Sequence, residues 1–180
     1  MAMRLLLAVM TVLVLGALPA FAAGPKNDSF ETGDFADWQS AGSGWRVSAY
    51  KLDVYRGRYG AVNEVPIGGG DEFRIIHQQV KCAPGKTYEA GVWLRAVCIE
   101  QTESFLEIQF LDRDGKVLKQ FQSRRIIGDQ EFALVTIEKA LAPDKTSYAS
   151  IRGVVHVIKP PETNADYHIF DNFTFRRARN

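Results

Sequence analysis

The amino-acid sequence predicts an all-β fold, a sandwich or barrel of antiparallel strands. Three observations carry this reading. Short runs rich in Val, Ile, Phe, Tyr and Trp recur along the chain, each bounded by Gly, Pro, Asp or Asn, as strands closed by turns are. Several of these runs alternate apolar and polar residues with a period of two. Beyond the N-terminal segment no stretch sustains an apolar period of 3.6, so no helix is expected.

In chain order the expected strands are 45–50, 59–65, 73–80, 88–97, 105–111, 117–121, 132–138, 148–158 and 167–175. Gly68-Gly69-Gly70-Asp71 is a loop, and Asp114-Gly115 is a strong tight-turn signal between two strands. Neighbours on a strand point to opposite faces. In 88–97 the core face is Tyr88, Ala90, Val92, Leu94 and Ala96, and the other face is Glu89, Gly91, Trp93 and Arg95. In 105–111 Leu106, Ile108 and Phe110 point inward, with Glu107 and Gln109 opposite. In 148–158 Ile151, Val155 and Val157 point inward, with Ser150, Arg152 and His156 opposite. Three strands therefore carry outward faces of planar, hydrogen-bonding side chains.

Arg4 is the sole charge in the first 25 residues; an apolar run from Leu5 to Leu15 follows, broken by Gly16 and Pro19. Ala20-Phe21-Ala22 then places small residues at −3 and −1 of a cut. This is the layout of a secretory signal, and the run is shorter than the roughly 20 residues a spanning helix needs. Residues 1–22 are expected to be a signal peptide. Residues 23–180 are expected to form one domain, secreted or periplasmic, with no membrane span after cleavage. The formal net charge is +1, so no strong field draws the chain to nucleic acid.

Cys82 and Cys98 would meet an oxidising compartment, where pairing is the usual outcome. If 73–80 and 88–97 form a hairpin about Ala83-Pro84-Gly85-Lys86, Cys98 lies roughly 30 Å from Cys82 at about 3.3 Å per residue. A disulfide needs Cα atoms within about 7 Å. A strand that changes sheets would alter this, so the pairing stays open.

Three segments carry a family resemblance. They are Asn27-Asp28-Ser29-Phe30-Glu31-Thr32-Gly33 with Trp38 beyond it, Pro84-Gly85-Lys86-Thr87-Tyr88 between two central strands, and Phe170-Asp171-Asn172-Phe173 in the last strand. Together, and in this order, they resemble carbohydrate-binding modules of the galactose-binding-like jelly-roll type, which are often appended to xylanases and cellulases. The resemblance covers nearly all of 23–180. It implies a two-sheet antiparallel β-sandwich (a jelly roll) and a secreted, non-catalytic protein that binds poly- or oligosaccharide.

The resemblance also implies a structural Ca²⁺ where the N-terminal segment meets the last strand. The matching positions are Glu31 and Asp171, with Asn27 and the Gly33 carbonyl as additions, and hard oxygen donors of this kind suit that ion. An Asp inside an aromatic strand is disfavoured there and needs a partner if buried. The alternative is that Asp171 accepts backbone N–H groups.

Binding a sugar takes an aromatic platform and planar hydrogen-bonding groups. Trp93, Arg95, Glu107, Gln109, Arg152 and His156 meet that description as one outward face, with Trp45, Tyr50, Tyr55 and Tyr59 as possible extensions. The competing reading packs Trp93 under a loop and pairs Arg95 with Glu107. His77, His156 and His168 have no zinc-ligand spacing. No nucleophile elbow, phosphate loop or zinc-protease motif occurs. The strand Glu107-Ile108-Gln109-Phe110-Leu111-Asp112 has Gln where some jelly-roll glucanases carry a central Asp, although Glu89 and Glu107 could still converge. An enzyme is not expected. A structural or interaction protein of the envelope or matrix, using the same sandwich to bind a protein partner, is the second reading.

Overall fold

A computed structural model describes residues 24–70, 72–97 and 99–179. The expected signal segment 1–22 and Cys98 lie outside the described residues. Among the described residues there are ten strands: β1 (Gln39–Ala41), β2 (Trp45–Ser48), β3 (Gly60–Val65), β4 (Phe73–Lys81), β5 (Thr87–Val97), β6 (Thr102–Leu111), β7 (Val117–Gln122), β8 (Gln130–Leu141), β9 (Tyr148–Val157) and β10 (Asp166–Arg177). They form two five-stranded sheets, a front sheet in the order β1-β4-β9-β6-β7 and a back sheet in the order β2-β3-β10-β5-β8. Every pairing is antiparallel. The fold is the expected jelly-roll sandwich. Among the described residues no helix is long and apolar enough to cross a membrane.

The face assignments hold because side-chain parity decides burial when one face meets a partner sheet. Leu106, Ile108, Phe110, Ile151 and Val155 from the front sheet meet Ala90, Val92, Leu94, Val135 and Phe170 from the back. The expected hairpin between 73–80 and 88–97 is corrected. β4 and β5 lie in opposite sheets, so residues 82–86 cross the sandwich edge instead of turning within a sheet. Both strands alternate apolar and polar residues, which marks two half-buried strands but not that they share a sheet. Among the described residues Cys82 carries a free thiol that packs against the core, and burial pushes that thiol up to about 12. β6 and β7 do form a hairpin. Asp112 Oδ1 accepts the Asp114 and Lys116 amides at 3.0 and 2.9 Å, and Gly115 takes φ 83°.

One contact sets the sheet separation. A Cβ on Gly153 of β9 would meet Cδ1 of Phe170 at 3.0 Å and Cζ of Phe173 at 3.1 Å. Phe173 reaches that place through a bulge in β10. Asp171 pairs with Trp93 and Thr174 with Gly91, so Asn172 and Phe173 together oppose Val92, and Asn172 adopts φ 55°. The bulge turns Phe173 inward, as an extra residue on one strand does. The N-terminal segment closes on the same ring. Phe30 and Trp38 lie 6.2 and 4.7 Å from it, ring to ring, and the Phe173 amide donates to Asp28 O at 2.8 Å.

The other end of the sandwich is polar and buried. Thr102 Oγ1 donates to Asp166 Oδ2 at 2.6 Å and lies 2.8 Å from His168 Nε2. With its single proton given to Asp166, the hydroxyl accepts from an Nε2–H, which fixes the imidazole tautomer. Burial first, and the Arg74 cation second, hold His168 down to about 3.

Gly153→Ala is expected to force the two rings aside and cost about 1–3 kcal/mol, the usual overpacking range. Urea unfolding at constant m-value measures this; an unchanged midpoint would show that the rings can yield.

Candidate functional site

The outer face of the front sheet carries a row of polar side chains across all five strands. Gln39 of β1 pairs with His77 of β4, His77 with Arg152 of β9, Arg152 with Glu107 of β6, and Glu107 with Gln122 of β7. At about 4.8 Å between strands the row is about 19 Å long. Its centre is hydrogen-bonded throughout. Arg152 donates to Glu107 Oε1, Gln109 Nε2 donates to the same oxygen at 2.9 Å, and Gln122 Nε2 donates to Oε2 at 2.7 Å. Glu107 is only 5% exposed, and these donors offset the desolvation of its charge. His77, half-buried beside Arg152, is held below the usual imidazole range by burial and then by that cation.

A second cluster lies at one end of the same face. Glu103 receives Arg125 and lies 2.7 Å from His156 Nδ1. The His156 imidazole stacks on Phe73 at 4.5 Å and 9°, and Phe73 is 46% exposed. The Arg125 guanidinium covers Phe105 at 4.7 Å.

Of the six ligand-binding residues expected from the sequence, Glu107, Gln109, Arg152 and His156 share this face. Trp93 and Arg95 do not. They belong to β5, in the back sheet, and point away on the opposite side of the molecule. Trp93 lies under the 49–59 loop, stacked on Tyr55 at 3.8 Å and 11°. Arg95 donates to Glu131 at 3.1 Å and to Leu52 O at 3.1 Å, so its ion-pair partner is Glu131 and not Glu107. Glu89 and Glu107 likewise sit on opposite sheets and cannot converge on one bond. Of the loop aromatics, Trp45 packs against Phe170 at 5.8 Å, Tyr59 packs against the core, and Tyr50 is exposed. Sequence reasoning missed Phe73, His77, Glu103, Gln122 and Arg125. Glu103 stands four residues before Glu107 on one strand, a parity signal that was readable; Arg125 sits in a loop and gave none.

Of the four expected metal residues, Glu31 and Asp171 come close enough to interact where the N-terminal segment approaches β10. Asp171 is fully buried. Its Oδ2 accepts the Tyr55 and Arg56 amides at 2.9 and 3.0 Å, while its Oδ1 is buried without a hydrogen-bond partner. Burial pushes the carboxyl up to about 6, and the nearby Glu31 charge adds to the rise. Glu31 accepts the Arg58 and Tyr59 amides of the same loop at 2.9 and 3.2 Å. Asn27 is not brought to this pair through its side chain. Its Oδ1 accepts the Thr32 amide, and its Nδ2 donates to Asp34 O and Ala36 O. Gly33 turns at φ 79° against the Tyr59 ring. Among the described residues no three His, Cys, Asp or Glu side chains gather as a metal cluster.

The sandwich has the jelly-roll fold that solved carbohydrate-binding modules also adopt. No protein-family model matches the sequence, and no curated protein matches it. Solved structures do. TmCBM61 in complex with β-1,4-galactotriose matches with TM-score 0.59 at 21% identity, over 85% of this chain and 97% of that one. The CBM22-1 xylan-binding domain from Paenibacillus barcinonensis Xyn10C matches with TM-score 0.59 at 15% identity, over 85% and 93%. The enzymatically active domain of tailspike protein 4 from bacteriophage CBA120 matches with TM-score 0.66 at 18% identity; the match covers 85% of this chain but only 21% of the tailspike chain.

A folded-state carboxyl raised to about 6 holds its proton where the unfolded chain, near 3.8, has lost it. Asp171 therefore favours the fold at low pH, and that contribution disappears as pH rises through 6. In EDTA, Asp171→Asn is expected to melt above wild type at pH 7, with the gap closing toward pH 4. A pH-independent gap in paired thermal melts would refute the assignment.

Proposed function

We propose that the protein is an exported, non-catalytic glycan-binding module that holds its ligand along the outer face of the front sheet. The observation that carries this is the polar row from Gln39 to Gln122, fixed by cross-strand pairing and by the Arg152–Glu107–Gln122 hydrogen bonds. Arranged guanidinium, carboxylate and amide groups suit the paired hydroxyls of a sugar. Phe73, backed by His156, offers an exposed ring on which an apolar sugar face can rest. The structural neighbours matched along most of their length support the reading, since their ligands are named as galactotriose and xylan. The engagement of the carboxylates supports a non-catalytic role. Glu103 and Glu107 are both nearly buried and are held by Arg125 and His156 and by Arg152, Gln109 and Gln122 respectively, whereas a glycosidase needs two carboxyls free to face one glycosidic bond. Export rests on the layout of residues 1–22.

Calorimetric titration with β-1,4-galacto- and xylo-oligosaccharides tests the proposal. Arg152→Ala and Glu107→Gln are each expected to weaken binding at least about tenfold, since a bond to a charged group contributes about 1.5–3 kcal/mol. Trp93→Ala should leave this binding intact. Absence of binding across a glycan panel, or variants that bind as wild type does, would reject the face.

We also propose a structural Ca²⁺ at Asp171 and Glu31. The orphaned Asp171 Oδ1 and the adjacent Glu31 charge fit a hard cation. With two side-chain carboxylates, the remaining donors would be backbone carbonyls. When bound, the ion supplies charge neutralisation between the N-terminal segment and β10. Millimolar Ca²⁺ is expected to raise the melting temperature of wild type and to leave Asp171→Asn unmoved; identical melts in Ca²⁺ and EDTA would dismiss the ion.

A further inference from the structure

The outer face of the back sheet holds a groove of about 460 Å³, within the ~300–1,000 Å³ range of small-molecule sites. Nothing in the front-sheet reading uses it. Its floor is open because Gly91 lacks a side chain; a Cβ there would meet Thr174 Oγ1 at 3.0 Å and Leu134 Cδ1 at 3.4 Å. Trp93 stands at one end, its ring held by the Tyr55 stack. The Glu89–Arg176 pair stands at the other, with a contact of 3.1 Å. Trp93 and Glu89 are four positions apart on β5, about 13 Å. Leu134 of β8, half of it exposed, supplies an apolar wall.

The described lining of the groove is mainly acidic. Three carboxylate residues line it, Asp28, Glu89 and Glu138, and among the described residues Arg176 is the one cation of the lining, which Glu89 already engages. An anionic sugar entering here would meet two carboxylates with no paired cation among the described lining residues. An ammonium group meets those same carboxylates and the Trp93 ring, both attractive to it.

We propose that this groove is a second saccharide site, independent of the front-sheet face, and that it selects amine-bearing sugars of the glucosamine class. The ring face of the sugar rests on Trp93 and Leu134, and the ammonium group takes the charge of Glu138, with Asp28 adding to the negative field. Rejection of uronates follows from the same carboxylates, so one set of side chains supplies both attraction and exclusion.

The test titrates the full chain with glucosamine oligosaccharides, their N-acetylated counterparts and galacturonate oligomers, following tryptophan fluorescence and heat. Thr136→Trp fills the groove from an exposed position on β8, where a large aromatic suits a strand; Glu138→Gln removes one charge without changing shape. Glucosamine oligomers should bind wild type at least tenfold more tightly than the acetylated or acidic ones. Thr136→Trp should lose at least tenfold and Glu138→Gln severalfold, both with wild-type melting temperatures, while Glu107→Gln binds them unchanged. No binding by wild type, equal binding of acidic oligomers, or an unaltered Glu138→Gln would overturn the proposal. Loss in Glu107→Gln alone would place the sugar on the front sheet instead.

Discussion

Two phenylalanine rings of the last strand lie where a side chain on Gly153 would otherwise stand. β9 is the central strand of the front sheet, so the depth to which Phe170 and Phe173 reach under it fixes how that sheet lies on its partner. Interiors are packed too densely for the rings to be replaced by slack. Phe173 points inward only because β10 bulges at Asn172. The same bulge leaves Asp171 facing out under the 54–57 loop. Phe30 and Trp38 then complete the aromatic cluster from the far end of the chain. A single packing solution thus ties the chain's N-terminal segment, the last strand and the middle of the front sheet together.

The two outer faces are finished differently. On the front, Glu103 and Glu107 are nearly buried beneath their own partners, and the hydrogen bonds that Arg152, Gln109 and Gln122 donate to Glu107 hold these side chains in place. On the back, the 49–59 loop lies over β5 and β10, with Tyr55 on Trp93 and the Leu52 carbonyl on Arg95. The loop is itself held by carboxylates, Asp171 and Glu31, that accept its backbone amides. Its closure therefore depends on charged acceptors within the fold, whereas the front face depends on pairs exchanged between neighbouring strands.

Strand existence and strand faces were legible in the sequence because each sheet turns one apolar face to its partner, and a period of two then survives in the residue types. Leu106, Ile108 and Phe110 against Glu107 and Gln109 show this directly. Which strands share a sheet was not legible. β4 and β5 carry the same alternation whether they pair or cross, and five residues suit either connection. That single ambiguity put Trp93 and Arg95 on the same face as Glu107. The three-residue β1 was too short to leave a pattern, and the role of Asn172 depends on a left-handed backbone that its neighbours impose. The clasp between the Asn27 segment and the Asp171 strand was foreseeable only as part of a family resemblance, since its two halves are far apart along the chain.

The row from Gln39 to Gln122 belongs to no single strand, and this has a mechanical consequence. Its centre, Arg152 and Glu107, sits on β9 and β6, which are flanked on both sides. Its ends sit on β1 and β7, edge strands that open more readily than central ones. Thermal fraying therefore trims the row from outside inward and leaves the ion pair at its middle undisturbed. The face is therefore a bar that is stiff at its middle and compliant at its tips.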